Sequence, residues 1–166
     1  KELNERVITD ELTGIYNRRY IDERLPSDIV RSIIEKKPLS VIFLDIDNLK
    51  EINDRYGHLY GDRTIQNIVS VLSQHIQAEN DWVARYGGDE FFVCLNNTPV
   101  QAARQIAEII RLKIQELLIS NDKEISTSVS MGVHTMDDAP LTAQELITKA
   151  DEKMYQAKQQ GKNRIV

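Results

Sequence analysis

The run Leu39-Ser40-Val41-Ile42-Phe43-Leu44-Asp45-Ile46-Asp47 constrains this chain most: an apolar stretch ends on two acids one residue apart. Its length and its Val, Ile and Phe content predict a buried strand. Around it, residues 18 to 37 read as a helix interrupted near Pro26. A longer helix is expected after Asp62, with Ile65, Ile68, Val69, Leu72 and Ile76 on one stripe. Trp82 to Tyr86 and Glu90 to Leu95 read as a hairpin turning at Gly87-Gly88-Asp89. Thr98-Pro99 predicts a helix start with Thr98 as N-cap and Gln101 completing a capping box; Ala103, Ile106, Ile110, Ile114 and Leu117 form its buried face. Residues 125 to 133 alternate apolar residues with Ser and Gly, as a strand does. Thr142 and Glu145 open a last helix that buries Leu146, Ala150, Met154 and Ala157 and stops at Gly161. Helix, strand, helix, hairpin, helix, strand, helix is the order of an α/β sandwich, with helices packed against one mixed or antiparallel sheet.

A length of 166 residues suits one core, and no repeat or linker-like shift divides it, so residues 1–166 are taken as a single domain. Leu3 and Val7, four apart among charged residues, make residues 1–9 read as the end of a linker helix from an upstream domain. The net charge of -5 excludes a general nucleic-acid binder, which needs a basic surface. It also requires that any anionic substrate be drawn in by a metal or by a few local cations. No apolar stretch approaches the ~20 residues that span a bilayer, so the domain itself should make no membrane contact. Cys94, the only cysteine, rules out an intrachain disulfide and fits a reducing compartment; amid Phe91-Phe92-Val93-Cys94-Leu95 it reads as core.

Asp45 and Asp47, at i and i+2 on a strand, point to one face. Asp89 and Glu90 follow the glycine turn. If these two places adjoin, crowded anions cannot all ionise unaided. A hard cation is the usual remedy, and Mg²⁺ accepts a few carboxylates while leaving positions for phosphates. Two such ions can clamp the attacking and leaving oxygens of a displacement at phosphorus. Alone, Asp-x-Asp can simply end a strand and Gly-Gly can simply make a turn. Missing side chains at Gly87 and Gly88 would also let phosphate oxygens reach backbone N–H groups.

Four separated motifs then resemble one family. Arg85-Tyr86-Gly87-Gly88-Asp89-Glu90-Phe91 is similar to the signature of GGDEF domains, the diguanylate cyclases. Asp10-Glu11-Leu12-Thr13-Gly14-Ile15-Tyr16-Asn17-Arg18-Arg19 resembles that family's opening motif. Asp45-Ile46-Asp47-Asn48-Leu49-Lys50-Glu51-Ile52-Asn53-Asp54, with Gly57-His58 and Gly61-Asp62, resembles its metal and guanine segment. Ala150 to Lys158, with Gly161-Lys162-Asn163, resembles its closing helix. The resemblance implies a five-stranded sheet surrounded by helices, like nucleotide cyclases and polymerase palms. It implies condensation of two GTP into cyclic di-GMP with release of two pyrophosphates, in the bacterial cytoplasm, from a parent protein that a membrane anchor could also carry.

The resemblance also implies roles. Asp45, the carbonyl of Ile46, Asp89 and Glu90 would hold Mg²⁺ or Mn²⁺, two ions per GTP, with Asp45, Asp89 and Glu90 as the catalytic acids. Asn53 and Asp62 would read guanine, since a carboxylate accepts from both its ring N–H and its amine. Asn48, Leu49, Lys50, Gly87, Gly88, Lys158 and Lys162 would line the rest of the nucleotide site, the lysines as point charges on phosphate. Asp10 would pair with Arg85 structurally. One nucleotide per domain implies a transient homodimer, whose pairing an upstream sensor domain would drive. Two departures stand out: Leu49 replaces a common Phe, and the inhibitory Arg-x-x-Asp is degenerate, being Ala78-Glu79-Asn80-Asp81. Weak product inhibition is expected. The competing reading is a catalytically weak module that binds GTP or cyclic di-GMP, though such modules usually lose the signature residues kept here.

Overall fold

The apolar run forms β2 (Leu39–Ile46), paired antiparallel with β4 (Glu90–Asn96) on one side and β5 (Val129–Met136) on the other. The computed structural model describes residues 7–121 and 123–166. In chain order the other elements are β1 (Tyr16–Asn17), α1 (Arg18–Glu35), α2 (Leu49–Tyr56), α3 (His58–Gln74), β3 (Trp82–Arg85), α4 (Val100–Gln115), α5 (Ala143–Gln159) and β6 (Arg164–Ile165). The sheet is mixed, in the order β1-β3-β4-β2-β5-β6. Alternate β2 side chains serve opposite layers. Ile42, Leu44 and Ile46 join a core with α3 and α4, while Val41 and Phe43 join one with α1 and α5.

The sheet has six strands rather than five: β2 to β5 are flanked by β1 and β6, two residues each, as parallel edges. Pieces that short carry no alternation to read. Pro26 does not interrupt α1; Leu25 and Ile29, buried on either side of it, hold the helix to the sheet against the lost N–H donor. The helix expected after Asp62 begins at His58, behind a separate α2 that ends at Gly57 with φ 92°. Thr98 is not the N-cap of α4: its hydroxyl donates to the Asn96 carbonyl at 2.9 Å, and Pro99 takes the cap position without a side-chain bond. Strand β5 starts at Val129, four residues later than the alternation suggests. Thr142 does cap α5, accepting from the Glu145 N–H at 3.1 Å.

One glycine sets the placement of α5. A Cβ on Gly132 would overlap the Ala150 carbonyl and the Met154 N–H, so helix and strand cross at a separation only glycine permits. Residues 7 and 8 are helical; the remainder of the expected linker helix lies outside the described residues. Among the described residues no helix is long and apolar enough to cross a membrane.

Candidate active site

Strand register brings the two acidic places together. Asp45 lies opposite Glu90, and the Ile46 N–H donates to the Asp89 carbonyl at 3.0 Å. One carboxylate oxygen from each of Asp45, Asp89 and Glu90 lies within 4.8 Å of the other two. Oδ2 of Asp45 meets Lys158 Nζ at 2.9 Å, whereas its buried Oδ1 has no hydrogen-bond partner. Burial drives the Asp45 carboxyl up to about 7, against the pull of Lys158, and the charge of Asp89 adds to the rise. Burial also raises Glu90, helped by Asp89 and Asp151 and opposed by Lys158 and Arg18. An orphaned buried oxygen among three carboxylates is a donor set that fits a hard divalent cation, which would let all three ionise.

The turn beside them is braced from behind. Arg85 donates from Nη2 to the Gly88 carbonyl at 2.7 Å and from Nε to the Gly87 carbonyl at 3.2 Å. Its Nη1 lies 3.3 Å from Asp10, which also accepts the Thr13 hydroxyl at 2.6 Å. Neither Gly87 nor Gly88 has a left-handed φ, and a Cβ on Gly88 would meet nothing within 4 Å. The backbone therefore does not demand glycine at this turn, unlike the two-residue hairpins that glycine usually serves.

The guanine candidates converge at the α2–α3 junction. A Cβ on Gly61 would overlap Oδ1 of Asn53, so the amide rests directly on the residue before Asp62, which is exposed. Asn48 donates to the Ser126 carbonyl at 2.7 Å and accepts from the Thr127 hydroxyl at 3.2 Å. Leu49 is buried in the core, while Lys50 is exposed on the first turn of α2. Lys162 is also exposed, at φ 65°.

Sequence reasoning missed the latch that holds this segment. Asp47 accepts from the Ser128 and Ser130 hydroxyls and from the Asn163 N–H at 3.0 Å, and lies 3.7 Å from Lys158. It ties the loop after α5 to the end of β2. Its shared face with Asp45 was the only available signal. Gly132 and Arg18 likewise carry no local pattern that marks them. In the stretch whose sequence resembles a degenerate inhibitory motif, Asp81 is buried and accepts from the N–H groups of Gln77 at 3.2 Å and Asn96 at 2.9 Å. Ala78 and Asp81 line a groove of about 890 Å³ beside β1 and β3.

Helices packed on a mixed sheet, with three acids joining a strand end to a glycine turn, mark a domain of one class. The chain belongs to the GGDEF family: the family model described as diguanylate cyclase, GGDEF domain, matches residues 7–164. Response regulator PleD of Caulobacter vibrioides is 36% identical over 165 residues, 98% of this chain and 36% of that protein. Diguanylate cyclase A of Treponema denticola is 36% identical over 168 residues, 99% of this chain and 45% of that protein. This chain thus spans less than half the length of these relatives. Among solved structures, the coiled coil and GGDEF domain of DgcB from Caulobacter crescentus, in complex with c-di-GMP, aligns with a TM-score of 0.92 at 25% identity, covering 99% of this chain and 87% of that one. Diguanylate cyclase SiaD from Pseudomonas aeruginosa, in complex with its activator SiaC, aligns at 0.90 and 32% identity, covering 99% and 63%.

Proposed function

We propose that this domain condenses two GTP into cyclic di-GMP, each copy presenting one nucleotide to the other. The observation that carries the reading is the meeting of Asp45, Asp89 and Glu90, together with the buried, unpartnered Oδ1 of Asp45 itself. Asp45 and Asp89, with the Ile46 carbonyl, would hold Mg²⁺ or Mn²⁺, two ions per GTP. Bound there, the cations supply charge stabilisation for the phosphates and the departing pyrophosphate. Glu90, whose proton affinity is raised, accepts the proton of the 3′-hydroxyl as that oxygen bonds to the α-phosphorus of the facing nucleotide. The bond from α-phosphorus to the bridging oxygen breaks, and pyrophosphate leaves with its electron pair. A second such step closes the ring.

The remaining residues bind and orient. Because the fold does not require glycine at Gly88, close approach of phosphate to the turn is what explains it. Asn53 and Asp62 read the guanine edge, with Asn48, Leu49 and Lys50 beside them. Lys158 exchanges Asp45 for a phosphate oxygen, and Lys162 offers a second charge; Asp47 and Asn163 keep both within reach. Asp10 and Arg85 hold the turn's shape. A symmetric product suits two half-sites on a two-fold axis, so the isolated domain should pair only transiently and an upstream sensor should drive pairing in the longer protein. Ala78 leaves the Arg-x-x-Asp site without its cation, and Asp81 already accepts two backbone bonds, so product feedback there should be weak.

Incubation with GTP and Mg²⁺, followed by chromatography beside Asp89→Ala and Glu90→Ala, tests the reading. Cyclic di-GMP from the native chain alone supports it. Bound but unconverted GTP at high protein concentration would replace it with a binding module.

A further inference from the structure

Three cations stand around the glycine turn and its acids, and they are held differently. Lys158 is paired with Asp45 and Asp47. Arg85 is spent on Asp10 and the turn carbonyls. Arg18, the first residue of α1, has no side-chain hydrogen bond or ion pair among the described residues; its guanidinium lies over the Tyr86 ring, 4.3 Å from the centroid. That perch is rigid. Tyr86 packs edge-on against buried Phe43 at 4.9 Å, and its N–H donates to the Glu90 carbonyl at 2.8 Å. An aromatic face fixes a guanidinium without consuming its five N–H donors, which match phosphate oxygens two at a time.

Position decides whose phosphate this is. The cations suited to the chain's own triphosphate, Lys158 and Lys162, stand at the end of α5 and just before β6, on one side of the turn. Arg18 stands on the other side, where β1 passes into α1 beside β3. Its charge also reaches Glu90 from that side. The first turn of α1 carries no acid, and although Asn17 accepts the Tyr20 N–H at 3.3 Å, the positive end of the helix dipole adds to the field of Arg18.

We propose that Arg18 binds the phosphate of the nucleotide carried by the facing copy, gripping it beside Glu90 while the chain's own GTP is held by the lysines. This rests on the cyclase reading above. Arg18 would contact substrate only when two loaded chains meet, so it should govern turnover and not the affinity of one chain for its nucleotide.

The experiment measures two quantities for the native chain, Arg18→Ala, Arg18→Lys and Tyr86→Leu. One is the dissociation constant for 3′-deoxy-GTP with Mg²⁺, an analogue without the attacking hydroxyl; the other is the rate of cyclic di-GMP formation. Arg18→Ala should lower the rate at least about tenfold while changing the analogue's dissociation constant less than about twofold. Lysine should restore part of the rate, and Tyr86→Leu should lower it less than Arg18→Ala does. An unchanged rate in Arg18→Ala overturns the proposal. A matching loss of analogue affinity also overturns it, placing Arg18 on the chain's own nucleotide. If the native chain binds the analogue but makes no cyclic di-GMP, the cyclase reading fails and this inference with it. Unfolding temperatures of all four chains separate these outcomes from misfolding.

Discussion

Two carboxylates near the middle of this molecule receive opposite treatment. Asp28, on α1, is 1% exposed and fully served: Arg24 and Arg31 at 3.1 Å, the Trp82 indole N–H at 2.7 Å and the Asn96 amide at 3.4 Å all donate to it. Asp45, at the end of β2, keeps one buried oxygen without a partner and is crowded by two further acids. Both sit where an unpaired charge is expensive. Asp28 is compensated entirely by its own chain and pins α1 to β3 and β4. Asp45 is compensated only in part, by a lysine that can also serve phosphate. A structural carboxylate is completed by the fold; one proposed to hold a metal is left to be completed by something else.

The comparison breaks first on activity. Asp45→Asn should lower cyclic di-GMP formation by roughly a thousandfold, the scale of losing a group that organises transition-state charge. Product chromatography at saturating GTP measures it, and turnover within tenfold of native would remove Asp45 from the chemistry. Stability should show the reverse. Asp28→Ala strands two arginines and an indole N–H, and should cost about 3 kcal/mol in urea unfolding. Asp45→Asn, unfolded in EDTA, should change stability by less than about 1 kcal/mol or raise it, since a crowded charge is removed. Equal losses in both would erase the distinction.

A smaller effect should appear at the α2–α3 junction. Gly61→Ala must push Asn53 aside, because the new methyl takes its place. Asn53 is a movable side chain, so the fold should survive, but GTP affinity should fall about tenfold. Titration with 3′-deoxy-GTP reads this directly; undiminished affinity would detach Asn53 from the nucleotide.

The smallest effect lies far from the acids. Burial, with Lys153 and Lys149, lowers the pKa of His134, while Asp137 opposes. As pH falls through about 6.5, the unfolded imidazole takes a proton that the folded one resists, so this contribution is present above that pH and lost below it. His134→Gln should therefore lose less unfolding temperature between pH 7.5 and 5.5 than the native chain does. A steeper loss in the variant would reverse the assigned sign.

The parts of this architecture that announce themselves in sequence are local contrasts. Asp45 stands out because acids follow an apolar run, and α5 because Thr142 caps a regular stripe. Asp89 and Glu90 stand out beside glycines that the backbone itself does not need. What stayed hidden depends on distant partners. Asp47 shows in its own window only that it shares a face with Asp45, since its partners Ser128 and Asn163 lie 81 and 116 residues away. Arg18 reads as an ordinary helix start until Tyr86 arrives beneath it. The edge strands β1 and β6 are too short to show any period, and the break between α2 and α3 rests on one glycine's φ.

Metal binding tests most directly whether Asp45 is the unfinished partner of this pair. Mn²⁺ binding, followed by electron paramagnetic resonance in the presence of 3′-deoxy-GTP, would be compared among the native chain, Asp45→Asn and Asp28→Asn. Tight Mn²⁺ binding should persist in native and folded Asp28→Asn protein and disappear in Asp45→Asn. Native-like binding in Asp45→Asn would contradict the claim that this acidic cluster holds the metal.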